Sequence, residues 1–265
     1  MMRRTTRFFG AIAVVALLLA ACGSDDGDAG NDVAKADSGG GSVAEPVATD
    51  IDLQAFCDAV VSAETAVIAA SEGMPGDDPA PLLDAAEAEV PEDIAADLDV
   101  IATAARAALE KQDTSGFETD EFTSSDRALD DYVGDNCETQ KASVTAADYA
   151  FENVPEALTA GRVTFDFSNG GAELHEMLLM RIEEEGLSVD QLLSMPEKKA
   201  MKKVTFVRAL FAAPGESDVE TLDLEAGDYA VVCFVPMGST SLEAAESAKG
   251  PPHAMQGMTA QITVQ

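Results

Sequence analysis

The sequence predicts a small all-α helical bundle over residues 50–140, followed by an all-β sandwich over residues 143–265 that carries one helical insertion. Three observations predict it. Apolar residues recur at three- and four-residue intervals in the first segment and in short alternating runs in the second. Prolines and glycines fall where one element should give way to the next. Two cysteines, Cys57 and Cys137, bracket the helical segment.

Leu53, Phe56, Cys57, Val60, Val61, Val67 and Ile68 form the stripe of an amphipathic helix ending near Ser71. GMPGDDPAP then breaks the chain, and its prolines start a short helix through Leu82 and Leu83. Pro91 opens a longer helix with Ile94, Leu98, Ile101, Ala105 and Leu109 inward. Ser124 or Ser125 is the expected cap of a last helix holding Leu129, Tyr132 and Val133. The acids of this segment follow the spacing of a solvated face. Cys57 lies in its first helix and Cys137 just after its last, so in an oxidising compartment the pair is expected to form a structural disulfide.

From about Ser143 the pattern changes. Val144 to Phe151 is read as a first strand, and Val163, Phe165 and Phe167 alternate with Arg162, Thr164 and Asp166 in a half-buried second. Asn169-Gly170-Gly171 signals a turn before a run that begins at His175. Asp218–Leu224, Tyr229–Val235 and Thr259–Val264 supply further strands, an arrangement that fits an antiparallel sandwich. The interruption is helical: Ser188-Val189-Asp190-Gln191 has capping-box form, and Pro196 makes a single straight helix doubtful there. Lys198, Lys199, Lys202 and Lys203 are the one basic cluster, either a solvated helix face or a docking site for an acidic redox partner.

The N-terminus bears on location. MMRRTTRFFGAIAVVALLLAAC combines a basic start with an apolar run from Phe8 to Ala21, the dimensions of a signal peptide rather than of a spanning helix. Leu19-Ala20-Ala21-Cys22 resembles the bacterial lipobox, which implies lipidation at Cys22 and an extracytoplasmic protein anchored to the cell membrane. The alternative is an ordinary secretory signal with a chance cysteine. Residues 23–49, rich in Gly, Ser, Asp and Ala without periodicity, are expected to be a disordered acidic tether. The chain carries 16 Lys+Arg against 49 Asp+Glu, a formal charge of −33. Loss of Arg3, Arg4 and Arg7 with the leader leaves 13 against 49, or −36. Such a surface repels nucleic acid and anionic lipid headgroups, which makes phosphate-directed roles poor candidates.

Candidate chemistry concentrates in Gly227–Met258, GDYAVVCFVPMGSTSLEAAESAKGPPHAMQGM. Cys233 ends an apolar, β-branched run and is the one cysteine beyond the leader with no disulfide role. His253 and Met258 come after it, and His175 is the only other histidine. Two imidazoles, one thiolate and one thioether are the ligand set of a trigonal His₂Cys copper site with a weak axial methionine. The competing reading is a copper-free sandwich with a buried strand cysteine and two ordinary polar histidines.

Residues 144–265 resemble the cupredoxin (plastocyanin/azurin-like blue copper) domain. The resemblance rests on Asn169-Gly170-Gly171 with His175 soon after, on GDYAVVC ending at Cys233, and on His253 with Met258 near the C-terminus. It implies a Greek-key β-sandwich holding one type 1 copper through His175, Cys233, His253 and Met258. Met255 is a nearby competitor for the thioether role, and Met258 is preferred because four residues separate histidine from methionine in the family pattern. The chain departs from the pattern twice. Nineteen residues lie between Cys233 and His253 where the family has a few, so 236–252 must fold out as an excursion. Glu176 stands where many members have an asparagine that braces the copper loop, a change near the metal that would tune potential and affinity.

The function expected is that of a membrane-anchored one-electron carrier with a redox partner protein. Copper storage or delivery to a trafficking partner uses the same ligands, and a metal-free scaffold lipoprotein needs none of them. An enzyme is not expected: the chain has no G-x-S-x-G or H-E-x-x-H motif and no Gly-rich phosphate loop.

Overall fold

The computed structural model describes residues 51–71 and 73–265. The signal peptide, the lipobox with Cys22 and the tether lie outside the described residues.

Four helices come first: α1 (Leu53–Ser71), α2 (Pro79–Ala88), α3 (Ala95–Lys111) and α4 (Asp120–Asn136). Their stripes meet in a core of Phe56, Val60, Leu98, Leu129 and Val133, with Tyr132 edge-on to Phe56. Asp78 caps α2, accepting from the Ala80 N–H with Pro79 in the first turn. The start of α4 corrects the sequence reading. Thr119 caps it, its Oγ1 accepting from the Phe122 N–H at 3.1 Å, with Asp120 and Glu121 at the positive end of the helix dipole. Ser125 lies inside the helix and is buried. Cys57 and Cys137 form the disulfide, closing a separation of 80 residues. In the chain-entropy model such a loop contributes roughly 4 kcal/mol.

The β-region is a two-sheet sandwich. One sheet has the order β2-β1-β4-β7, from β1 (Gln140–Ala147), β2 (Ala150–Glu152), β4 (Gly161–Asn169) and β7 (Ser217–Leu224). The other has the order β3-β9-β8-β5-β6, from β3 (Ala157–Leu158), β5 (His175–Ile182), β6 (Val204–Ala212), β8 (Gly227–Val232) and β9 (Thr259–Val264). The inner faces alternate as a half-buried strand requires, so Val144, Val163, Phe165 and Phe167 pack against Met177, Leu179, Leu210, Val231 and Ile262. Pairing is not antiparallel throughout: β1 runs parallel to β4, and β3 to β9. The first strand starts at Gln140, earlier than the Val144 the sequence suggests, and ends at Ala147. A strand absent from the sequence reading, β6, pairs along β5. Two short helices, α5 (Val189–Leu193) and α6 (Glu197–Ala200), form the insertion, with the Ser188–Gln191 capping box in place and Pro196 between them.

The helices lie against the sandwich through α4 and β7. This face holds charges the sequence spacing assigns to solvent. Buried Arg208 on β6 pairs with Glu64 of α1 at 2.8 Å and with Glu220 of β7 at 2.9 Å. Asp126 and Asp130 of α4 and Asp218 of β7 join them around a cavity of about 390 Å³ whose remaining wall is apolar except for Ser71. Burial, with the neighbouring carboxylates, pushes Asp126 up to about 7 and raises Asp130 and Glu220 well above their ordinary values. Burial also raises Asp218, opposed by its hydrogen bond from the Phe211 N–H and by Arg127 and Arg208.

A carboxyl whose folded pKa lies above its unfolded value near 3.9 binds more protons when folded, so stability rises as pH falls from about 7 towards 4. The urea midpoint followed by far-ultraviolet circular dichroism is therefore expected to be higher at pH 5 than at pH 8. Asp126→Asn together with Asp130→Asn should flatten that slope. A midpoint that falls on acidification over this window contradicts the assignment.

Candidate metal centre

Strand order places the site. β8 lies between β5 and β9, with Leu178 opposite Val232 and Val232 opposite Thr259. The start of β5, the end of β8 and the start of β9 therefore share one end of the sheet. His175 opens β5, Cys233 comes directly after β8, and Met258 precedes β9. All three are fully buried, as is His253.

The long excursion is closed at its neck. Pro236 and Pro252 form an antiparallel bridge, and the Met237 N–H donates to the Pro251 carbonyl at 3.0 Å. The His253 N–H donates to Val235 O at 3.0 Å, and the Ala254 N–H to Cys233 O at 2.8 Å. Helix α7 (Leu242–Ser247) occupies the excursion beyond this neck. Gly250 makes the closure possible, because a Cβ there would stand 2.5 Å from the Met237 carbonyl oxygen. Across nineteen intervening residues, the closed neck thus leaves His253 Nδ1 3.4 Å from Cys233 Sγ.

His175, Cys233 and His253 bring their ligand atoms within 4.8 Å of one another. His253 Nδ1 lies 3.4 Å from Cys233 Sγ and 3.2 Å from His175 Nδ1. The outer side of each ring decides what its inner nitrogen carries. His253 Nε2 is 3.0 Å from Glu173 Oε2, and an ionised carboxylate only accepts, so Nε2 holds the hydrogen and Nδ1 presents a lone pair. His175 Nε2 faces Asp148 Oδ1 at 3.7 Å, beyond hydrogen-bond reach, and is a buried polar atom without a partner. Either tautomer of His175 leaves one nitrogen short of a partner: a hydrogen on Nε2 has no acceptor in reach, and a hydrogen on Nδ1 bonds His253 Nδ1 but leaves the Nε2 lone pair facing the Asp148 carboxylate. The buried polar atoms of this group are therefore poorly satisfied by protein alone. A cation satisfies them. Metal–nitrogen bonds of about 2 Å to one shared ion place two nitrogens roughly this far apart. The donor set therefore fits a metal that accepts imidazole and thiolate.

The electrostatics agree. Burial lowers the pKa of His175, with the neighbouring His253 acting in the same direction and Asp148 opposing, so its ring stays neutral as a ligand must. Burial pushes the Cys233 thiol up to about 12, so the metal-free protein holds a thiol and metal entry displaces its proton. The Glu176 N–H points at Cys233 Sγ from 3.4 Å. Its carboxylate Oε2 accepts the Phe234 N–H at 3.0 Å, so Glu176 ties β5 to the segment after Cys233 as an asparagine brace would. Burial raises that carboxyl to about 7, against the Phe234 hydrogen bond.

Of the two thioethers, Met255 is 70% exposed and Met258 fully buried. The Met258 carbonyl accepts from the Cys233 N–H at 3.2 Å, which holds Met258 beside the cysteine. Sequence reasoning missed Glu173. Desolvation raises its carboxyl, but hydrogen bonds from Gly238, His253 and Tyr149 prevail and hold it below its ordinary value. Among 49 acids its only sequence signal is a place two residues before His175.

No family model and no characterised protein sequence matches the chain. Solved structures do resemble about half of it. The dithionite-reduced auracyanin of Roseiflexus castenholzii is 16% identical, over 48% of this chain and 98% of its own, with a TM-score of 0.32. Rusticyanin from Thiobacillus ferrooxidans is 17% identical over 48% and 79%, with a TM-score of 0.30. A purple cupredoxin from Nitrosopumilus maritimus is 12% identical over 47% and 99%, with a TM-score of 0.26. The chemistry open to the site rests on its own side chains.

Gly171 is the tightest point beside His175. A Cβ there would lie 2.5 Å from Asp148 Oδ1 and 2.7 Å from His175 Nε2. Gly171→Ala is expected to displace the imidazole and cost about 1–3 kcal/mol in urea unfolding, the usual penalty of overpacking. Wild-type stability with unmoved His175 ring resonances would show that the space is larger than this packing allows.

Proposed function

We propose that this protein is an extracytoplasmic copper-binding electron carrier of the cupredoxin type, anchored to the bacterial cell membrane through lipid on Cys22. The observation that supports it most is the pair of inward-facing Nδ1 atoms, 3.2 Å apart beside a buried thiol. Copper bound there would supply a one-electron couple, and thiolate with imidazole is a donor set suited to it. His175, Cys233 and His253 would hold the ion, with Met258 as the weak axial ligand.

The chain's own residues do the rest. Backbone hydrogen bonds at the neck hold His253 against Cys233, and the Glu176 brace holds Cys233 against β5. A cage fixed by packed strands changes little between oxidation states, which favours rapid electron exchange. Full burial of both histidines and of the thiol excludes water and slows ligand loss, which favours a carrier over a delivery protein. The lipid anchor and tether would keep the domain near a membrane-bound redox partner. The Lys198, Lys199 and Lys202 side chains, on exposed residues, offer an acidic partner a contact, while Lys203 pairs with Glu184.

A copper titration followed by visible absorption tests this reading. An intense thiolate-to-copper band saturating at one copper per chain is expected. Cys233→Ser should abolish the band, and Met258→Ala should keep it while shifting the reduction potential. A coloured Cys233→Ser protein overturns the site. A wild-type chain that takes up no copper points instead to a scaffold lipoprotein, and ready loss of copper to a chelator points to storage or delivery.

A further inference from the structure

We infer that Glu173 is the positioning residue that sets the oxidation-state preference of this centre, by holding His253 in one tautomer and placing a negative charge behind its ring. The inference rests on the copper reading above and adds a residue that the ligand set does not contain.

The carboxylate is held from three directions. Oε2 lies 3.0 Å from His253 Nε2 and accepts the Gly238 N–H at 2.5 Å, while Oε1 accepts the Tyr149 hydroxyl at 3.0 Å. These donors come from separate parts of the chain. Tyr149 stands in the turn between β1 and β2, in the left-handed region at φ 65°. Gly238 belongs to the excursion between Cys233 and His253, so that long segment supplies one of the donors that orient the acid. The Glu173 backbone is pinned as well: Asn169 Nδ2 donates to its carbonyl at 2.7 Å and to Ala212 O at the same distance. The Tyr149 ring stands edge-on to His253, with centroids 5.1 Å apart, and helps close the imidazole from solvent.

The chemistry has two consequences. With its Nε2–H committed to a fixed acceptor, His253 keeps the Nδ1 lone pair on the side of Cys233 and His175, ready to bind. A carboxylate on the far nitrogen also makes the imidazole a stronger donor, an effect typical of carboxylate–histidine–metal arrangements. Its charge sits in a largely buried site, where the Glu173 side chain is 19% exposed and screening by water is weak. Both effects favour the cupric over the cuprous ion and lower the reduction potential.

Glu173→Gln preserves shape and an acceptor oxygen while removing the charge; Glu173→Ala removes both. In the full-length protein, Glu173→Gln is expected to weaken cupric binding by roughly 10–100-fold relative to cuprous binding. That corresponds to a rise in potential of about 59–118 mV for a one-electron couple. In the metal-free protein, ¹⁵N shifts of the His253 ring should report the Nε2–H tautomer in wild type and a mixture in Glu173→Ala. A Glu173→Gln potential less than about 59 mV above wild type, or an unchanged tautomer in Glu173→Ala, overturns the inference. If the wild-type chain takes up no copper the function proposed above fails, and the ring shifts still decide whether Glu173 positions His253.

Discussion

Two imidazole nitrogens facing each other 3.2 Å apart, beside a buried thiol, constrain the rest of the β-region. Both rings are fully buried, and neither tautomer of His175 gives each of its nitrogens a protein partner. The surrounding structure holds them there. Adjacent strands bring His175 and Cys233 to one sheet end, the closed neck returns His253, and Glu173 and Asp148 occupy the outer side of the two rings. Such concentrated local cost is tolerated in folded proteins where a ligand resolves it.

The same principle, in weaker form, governs the joint between the helices and the sandwich. A chain with 49 acids could expose nearly all of them, yet Glu64, Asp126, Asp130, Asp218 and Glu220 gather around Arg208. Arg208, joined only at Asp218 by Arg127, cannot compensate five carboxylates in a poorly hydrated space, so Asp126 is pushed up to about 7. A buried ionic joint of this kind is seldom a net source of stability against a hydrophobic equivalent. The disulfide and the apolar helical core supply the stability that the joint does not.

Much of the site was legible because its residue types are scarce. With two histidines, and one cysteine beyond the leader free of the disulfide, the choice of candidates was narrow, and chain order did the rest. Helix α1 and the Cys57–Cys137 pair were legible for a similar reason, as a strong stripe and a simple count. Strand β6 was not. Its start comes directly after the lysine cluster of the helical insertion, and Arg208 interrupts the alternation because it faces the acidic joint rather than water. The start of α4 was misplaced because serine, threonine and aspartate are dense there, and several can cap. Glu173 was invisible because its importance comes from a distant histidine and from Gly238, neither of which marks an acid in the sequence.

The sequence by itself determined the division into helices and then strands, the candidate ligands and the disulfide partners, because these depend on local periodicity and on the rarity of His and Cys. Tertiary structure decided the rest. It buried Met258, whose carbonyl accepts from the Cys233 N–H, and left Met255 exposed. It closed a nineteen-residue gap by pairing the two ends of an excursion, a contact that local pattern does not encode. It turned Glu64, Asp126 and Asp130 inward and Glu173 toward His253, because the environment of a charge depends on what the folded chain places around it.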